Sequence, residues 1–183
     1  MPRSDARRNY ARILEVAEAE VAAHGADASL EQIARTAGVG SATVRRHFPS
    51  RRALLEAVFH GQVDALAAQA RELAGAADPR AALLDWLAAL TTYAATARGL
   101  ATALVRDDTA AEHAHACSAT MTAAGAPLVR RAAEAGVVGP EVTIADLIAL
   151  VTGIVLATEN HRDPAGEAHR LLALAVRGIS PVG

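Results

Sequence analysis

The stretch from Ser29 to Phe48 constrains the fold of this chain most, because two short helices and the turn between them can be read from it directly. Ser29 followed three residues later by Gln32 is the pattern of a capping box, and apolar residues then recur at helical spacing. The turn Gly38–Gly40 follows, with a first glycine where a left-handed residue ends a helix. The stretch therefore predicts a helix-turn-helix arrangement.

The second of these helices is predicted to point a polar and basic face outward, while Val44 and Phe48 face inward. A helix fits the major groove of B-DNA, where Arg pairs with guanine edges or phosphates and Ser, Thr and Ala reach phosphates or thymine methyl groups. A basic helix is more often only a solvated surface, but the capped helix, the glycine turn and the amphipathic helix that follows together favour DNA binding. The candidate DNA-binding residues are Ser29, Ser41, Ala42, Thr43, Arg45, Arg46, His47 and Arg51.

Over residues 8–60 the chain resembles the tetracycline-repressor-like (TetR) transcriptional regulators. Four groups of residues carry the resemblance: Ile13, Leu14, Ala17 and His24-Gly25 in a first helix; Ile33-Ala34 and Ala37-Gly38-Val39 in a second helix and turn; Thr43-Val44 and His47-Phe48 in a recognition helix; and Ser50-Arg51 with Leu54-Leu55 in a fourth. Arg45 stands where the family usually has a DNA-contacting Tyr, and Ala42 where it often has Gly. The resemblance implies a dimer in which an effector in a second domain shifts the two DNA-binding heads and releases the operator.

Composition favours helices throughout the chain. Apolar residues make up 52% and aromatic residues only 3%, so packing rests on Ala, Leu and Val. We expect an all-α protein with a helix-turn-helix DNA-binding domain over residues 1–60, which includes the start of a connecting helix, and a helical effector-binding and dimerisation domain over 61–183. The first part carries nine arginines against seven acidic residues, and the second nine against thirteen. Basic charge therefore belongs to the DNA-binding part.

Turn residues divide the remaining helices. A polar tail over residues 1–9, in which Arg7 and Arg8 are candidates for additional DNA contacts, is expected to be mobile ahead of a helix from about residue 10. A helix starting at Pro79 is expected to end at Arg98-Gly99, with a short helix over residues 100–106 after it. A further helix from about residue 109 is expected to be interrupted at Gly125-Ala126-Pro127 by a kink or a break, and to resume through residues 128–135.

The last two helices, about residues 143–159 and 164–177, are predicted to form a homodimer. The first is apolar nearly all round, so it must be buried on several sides, and its excess apolar surface suggests contact with a second copy. A four-helix interface would result, and the operator would be a near-palindrome. The candidate interface residues are Leu147, Leu150, Val151, Ile154, Leu171, Leu172 and Leu174.

A few aromatic or polar residues stand out in the otherwise aliphatic second part. Core packing is the default for them, but ligand pockets are built in the same way. His113 and Cys117 lie on one helical face, yet two ligands make no metal site, so they too are interpreted as core or pocket residues and no metal is predicted. The candidate effector-binding residues are Trp86, Tyr93, His113, Cys117, Met121 and Thr122.

Neither catalysis nor membrane insertion is predicted. The run Gly136–Gly139 lacks the strand and the Lys of a phosphate loop, and Ser118 has no nucleophile-elbow context, so no enzyme and no cofactor is expected. A single cysteine fits a reducing compartment, and the longest apolar region is shorter than the ~20 residues of a membrane span, which predicts a cytoplasmic protein. The sequence predicts a repressor released from double-stranded operator DNA by a small apolar effector; a ligand-independent regulator, an activator and a helical enzyme are the alternatives.

Overall fold

The computed structural model describes residues 3–104 and 109–178, with side chains left undescribed at 3–4, 26, 98–104 and 109–118. Within those ranges the chain forms helices and no strand, which confirms the all-α prediction. The helices are α1 (Arg3–His24), a 3-10 turn (Gly25–Asp27), α2 (Leu30–Thr36), α3 (Ser41–His47), α4 (Arg51–Leu73), α5 (Pro79–Leu104), α6 (Thr109–Glu134), α7 (Ile144–Thr158) and α8 (Pro164–Arg177).

The chain divides into two compact units, and each is described separately. The first comprises Met1–Gln62 with Gly99–Ala110, and the second comprises Val63–Arg98 with Ala111–Gly183. The grouping of residues from α5 and α6 with the first unit was not predicted from the sequence. A domain boundary at residue 60 stays a prediction.

The first unit is built around one apolar cluster to which α1, α2, α3 and α4 all contribute. Residues spaced by three or four positions supply one stripe from each helix, as an amphipathic helix on a shared core requires. The largest side chains of the cluster are almost completely buried, so the short helices α2 and α3 are held mainly by tertiary packing. The cluster consists of Ile13, Ala17, Val21, Ala28, Ile33, Ala34, Ala37, Val44, Phe48, Leu54, Leu55 and Val58.

The second unit packs around Trp86, which is fully buried in α5. Its indole Nε1 donates a hydrogen bond to the Leu66 carbonyl of α4 at 3.1 Å. A Cβ added to Gly125 of α6 would lie 2.8 Å from the Trp86 ring and 2.6 Å from Ile144 Cδ1 of α7. Four helices therefore meet at this tryptophan, and the absence of a side chain at Gly125 is what allows them to approach so closely.

Side-chain caps set the starts of the last two helices. Thr143 and Asp146 form a full capping box at α7, in which each side chain accepts a hydrogen bond from the other residue's backbone N–H. Asp163 caps α8 by accepting from the Gly166 N–H at 3.0 Å, and Pro164 occupies the first turn. Both helices begin where the sequence predicts them to begin.

Two predictions about helix ends are wrong. The helix α1 begins at Arg3 and not near residue 10, and Asp5 in its first turn pairs with Arg8 one turn later. The helix α5 continues through Arg98-Gly99 to residue 104, because a lone glycine costs a helix only about 1 kcal/mol. The helix α6 continues through Pro127, so the interruption expected at Gly125-Ala126-Pro127 is not a break, and Pro127 removes one backbone hydrogen bond without ending the helix.

No helix in the part of the chain that the structure describes is long and apolar enough to cross a membrane.

Candidate DNA interface

The start of α2 is fixed by Ser29, although the predicted capping box is only half formed. The Ser29 hydroxyl accepts a hydrogen bond from the Gln32 N–H at 3.2 Å. The return bond does not come from Gln32, whose side-chain amide donates instead to the Thr36 hydroxyl at 3.3 Å. The Ser29 N–H donates to Glu20 Oε1 of α1, also at 3.3 Å. The cap therefore ties α2 to α1 as well as starting the helix.

The turn between α2 and α3 takes the form that the glycines predict. Gly38 has a φ of +63°, a left-handed conformation that a side chain disfavours. The Val39 N–H donates to the Ala34 carbonyl at 3.0 Å and the Gly38 N–H to the Arg35 carbonyl at 3.2 Å, the pair of bonds of a Schellman motif. Gly40 is then the N-cap of α3.

The short helix α3 buries its apolar side and exposes its polar side. Val44 is fully buried, and Phe48 directly after the helix is 2% exposed. Arg45 and Arg46 are exposed, and Thr43 is half-buried. Ser41 and Ala42 in the first turn are also exposed. The exposed surface, from here on the α3 face, consists of Ser41, Ala42, Arg45 and Arg46.

Arg45 on the α3 face is paired with a carboxylate. Its Nη2 donates to Glu31 Oε1 of α2 at 3.0 Å, and both side chains remain more than 60% exposed. The pKa of Glu31 lies below its usual range, first because its carboxylate accepts from its own backbone N–H and next because of the bond from Arg45. No pattern in the sequence points to Glu31, since fourteen positions separate it from Arg45.

His47 is less available than the sequence predicts. Its ring lies 5.8 Å edge-on from Tyr10 of α1, and Tyr10 stacks on Phe48 at 5.3 Å. The His47 Nε2 atom is buried and has no hydrogen-bond partner in the described part of the chain. The rings of Tyr10 and His47, together with Ala6 and Arg7, line a cleft of about 360 Å³. The start of α1 and the end of α3 therefore share one surface.

Arg51, at the start of α4, is exposed beside the first unit's 3-10 turn. Its Nη2 donates to the Asp27 carbonyl at 3.4 Å, and its Nη1 lies 3.8 Å from an Asp27 carboxylate oxygen. The preceding Ser50 caps α4 by accepting from the Ala53 N–H at 3.1 Å. A cation at a capped helix start is well placed to contact a phosphate.

The candidate effector residues with described side chains belong to the core of the second unit. Trp86 is fully buried, and Tyr93 and Met121 are 9% and 8% exposed. Thr122 is half-buried. His113 and Cys117 lie in α6 among the residues whose side chains are not described.

The candidate dimer residues divide into two groups. Val151 and Leu172 are buried within their own chain, at 1% and 6% exposure, as expected where α7 packs on α8. Leu150 and Leu174 are exposed, as is Leu156, which the sequence analysis did not select. The half-buried candidates are Leu147, Ile154 and Leu171.

Comparison with family models covers most of the chain. Residues 13–58 match the model described as bacterial regulatory proteins, tetR family. Residues 78–181 match the model described as transcriptional regulator SbtR-like, C-terminal domain. A comparison with curated proteins finds no significant match.

Solved structures show the same likeness over nearly the full length. A TetR transcriptional regulator from Streptomyces coelicolor is 33% identical, with a TM-score of 0.77 over 95% of this chain and 99% of that one. A TetR transcription regulatory protein from Mycobacterium vanbaalenii is 38% identical, with a TM-score of 0.70 over 84% of this chain and 93% of that one. A TetR-family regulator from Agrobacterium tumefaciens, 19% identical with a TM-score of 0.63 over 91% and 96%, shares the fold.

The fold and the α3 face define a helix-turn-helix DNA-binding protein with a helical second unit. Both family models and the two nearer structures represent transcriptional regulators and not enzymes, which confirms the prediction of a regulator. The chain belongs to the TetR family of transcriptional regulators, and it binds DNA.

Proposed function

We propose that this regulator is a cytoplasmic repressor that binds a near-palindromic operator as a homodimer and is released by a small, mostly apolar effector. The observation that carries the proposal is the α3 face, which is polar and exposed over a fully buried apolar side. A helix with one dry and one polar side can lie in the major groove without disturbing the core that holds it.

The residues of this surface have different proposed roles. Arg46 suits a guanine, whose O6 and N7 accept two hydrogen bonds from one guanidinium, and Ala42 suits a thymine methyl group. Ser41, Thr43 and Ser29 suit phosphates near the starts of α3 and α2. Arg51 suits a phosphate at the start of α4, and Arg7 and His47, which line one cleft, suit the flanking backbone. Arg8, which pairs with Asp5 in an exposed position, is a further candidate for the flanking backbone.

Replacement of single arginines tests these roles by measuring which DNA sequences each variant prefers. Arg46→Ala is expected to cost about 1–3 kcal/mol of operator binding and to relax the preference at one base pair. Arg51→Ala is expected to weaken all sequences alike and to make the salt dependence shallower by about one unit of slope. Equal effects of the two changes on base preference would contradict the assigned roles.

The apolar surface of α7 and α8 supports the dimer. Leu150 and Leu156 of α7 and Leu174 of α8 are each between 39% and 45% exposed, although they are large apolar residues on packed helices. Burying these side chains against a second copy would contribute about 25 cal/mol for each Å² removed from water. A two-fold axis there would set the two α3 helices about 34–36 Å apart, or a multiple of that, along one face of the DNA.

Light scattering at micromolar concentration tests the dimer. Wild type is expected at twice the mass of one chain, and Leu150→Glu with Leu174→Glu at the mass of one chain with unchanged helix content. A monomeric wild type or an asymmetric footprint on the operator would contradict the proposal.

The core of the second unit supports an apolar effector. Trp86, Tyr93, Met121 and Thr122 are the sparse aromatic or polar groups in an aliphatic surrounding, with His113 and Cys117 as further candidates. Such walls suit a mostly apolar compound with one or two hydrogen-bonding groups, and they would not hold a polyanion. An effector releases DNA only to the extent that it prefers the DNA-incompetent state.

Tryptophan fluorescence and operator binding, measured together against a panel of lipophilic compounds, test the effector. An inducer is expected to change Trp86 emission and to lower operator affinity over the same concentrations. Ala89→Phe, which adds a ring one turn from Trp86 at a half-buried position, is expected to weaken induction and leave DNA binding intact. Release by a highly charged metabolite would contradict the apolar pocket, and activation of a reporter by the bound protein would favour an activator.

A further inference from the structure

The contact between Glu31 and Arg45 places an acidic residue on the surface that is proposed to meet DNA. The bond joins the first turn of α2 to the exposed side of α3, with 3.0 Å between Arg45 Nη2 and Glu31 Oε1. A carboxylate so near DNA is repelled by phosphates, which opposes binding. An ion pair this exposed contributes little to stability, so folding alone does not explain it.

Glu31 has hydrogen-bond partners at the start of its own helix as well as Arg45. Its carboxylate also accepts from its own backbone N–H and from the Ser29 hydroxyl at the start of α2, and these bonds help to lower its pKa. It is therefore ionised at neutral pH, and these bonds favour the position in which it meets Arg45. The flexible partner is Arg45, whose side chain is directed to one site instead of sampling many rotamers.

We propose that Glu31 is a positioning residue for base readout, which holds the Arg45 guanidinium so that its free edge pairs with a guanine and not with a phosphate. A guanidinium has five N–H donors in a planar fork, so one edge can stay on a carboxylate while another meets O6 and N7 of guanine. Ordering the side chain beforehand lowers the entropy lost on binding. Partial neutralisation of Arg45 also reduces affinity for DNA of any sequence. This inference rests on the proposed placement of α3 in the major groove.

A double-mutant comparison in the full-length protein tests it, with a random-sequence duplex library from which bound DNA is recovered and sequenced. The proteins are wild type, E31Q, R45A and E31Q/R45A, with E15Q as the control, because Glu15 is an exposed acidic residue on α1 whose replacement changes the charge equally. Gln keeps the size of the Glu31 side chain and removes its charge. The readouts are the preference at each base pair and the salt dependence of binding to a random duplex.

R45A is expected to lower the guanine preference at one base pair of each half-site by about tenfold or more. E31Q is expected to lower the preference at that same base pair by about threefold or more, and to steepen the salt dependence on random duplex by up to about one unit of slope as Arg45 turns to a phosphate. In the R45A background E31Q is expected to leave the preference profile unchanged, since loss of a repulsive charge affects every duplex alike. E15Q is expected to leave the preference profile as in wild type.

Three results would overturn the inference. If E31Q strengthens binding to every duplex equally with and without Arg45, Glu31 acts only as a repulsive charge. If E31Q leaves the preference profile unchanged while R45A alters it, Arg45 reads DNA without help from Glu31. If R45A itself leaves the profile unchanged, Arg45 does not read a base and the inference is wrong; if R46A leaves the profile unchanged as well, the failure lies in the proposed placement of α3 in the major groove.

Discussion

The two units differ in how completely one chain buries its apolar residues. In the first unit α2 and α3 are only seven residues each, yet Ile33, Val44 and Phe48 are almost completely removed from solvent. In the second unit α7 is longer and more apolar, and Leu150 and Leu156 remain exposed. The first unit thus completes its core alone and exposes polar groups suited to DNA, whereas the second retains apolar surface that a second copy would cover.

Truncation of Phe48 should have the largest effect on stability. Phe48→Ala is expected to cost about 3–5 kcal/mol, because it removes a buried ring that stacks on Tyr10 and leaves a cavity. Leu150→Ala provides the comparison at an exposed position. Chemical denaturation followed by circular dichroism at several protein concentrations measures both.

The concentration dependence separates the two units. The cost of Phe48→Ala is expected to be independent of protein concentration, while that of Leu150→Ala should grow as association adds to stability. If the cost is independent of concentration at both positions, the exposed leucines of the second unit are not covered by a second copy, and the contrast between the two units fails.

Addition of a methyl group at Gly125 should have the next largest effect. A Cβ there would lie within 3.0 Å of both the Trp86 ring and Ile144, so Gly125→Ala is expected to cost about 1–3 kcal/mol through overpacking. Thermal unfolding with Trp86 emission as the probe measures it. A gain in stability, as at an open helical glycine, would show that the second unit is packed more loosely than described.

Loss of the α2 cap should cost less. Ser29→Ala is expected to lower the free energy of unfolding by about 1 kcal/mol, because the Gln32 N–H loses its acceptor. Ser29→Thr keeps a hydroxyl and is the matched control. If both variants unfold at the same denaturant concentration, the hydroxyl is not what stabilises this helix start.

The smallest expected effect concerns Glu18, whose pKa is shifted in the opposite direction to that of Glu31. Burial and the neighbouring Glu15 raise the pKa of Glu18, so its stabilising contribution is fully present below about pH 4.5 and is lost as pH rises through the folded-state pKa. Glu18→Gln is therefore expected to raise stability at pH 7 by less than about 0.5 kcal/mol, since Glu18 is only half-buried and solvent screens its charge. The lowered pKa of Glu31 instead gives stability that is lost as pH falls below about 4.5. A lower stability of Glu18→Gln than of wild type at pH 7 would contradict the raised pKa of Glu18.

The sequence predicted those features of the fold that depend on neighbouring residues alone. The left-handed turn at Gly38 and the buried positions Val44 and Phe48 follow from glycine geometry and helical spacing, and the structure has all three. The continuation of α5 through Gly99 was not predictable in the same way, because a weak helix breaker does not decide where a helix ends.

Long-range geometry accounts for the parts of the site that the sequence analysis missed. Glu31 pairs with Arg45 only because the turn at Gly38 sets the angle between α2 and α3, and no periodicity connects two positions so far apart. Tyr10, by contrast, lies three residues before Ile13 on the inward stripe of α1, and that spacing was a usable signal for its contact with Phe48.

The first unit is proposed to read DNA through the α3 face. The most direct test is the operator affinity of Arg45→Ala/Arg46→Ala beside a control, Arg130→Ala/Arg162→Ala, which removes two exposed arginines from the second unit. We predict that the first pair loses about 2–6 kcal/mol of operator binding, taking about 1–3 kcal/mol for each base-reading arginine, while the control stays close to wild type. Unchanged affinity in the α3 pair, or an equal loss in both pairs, would contradict the claim.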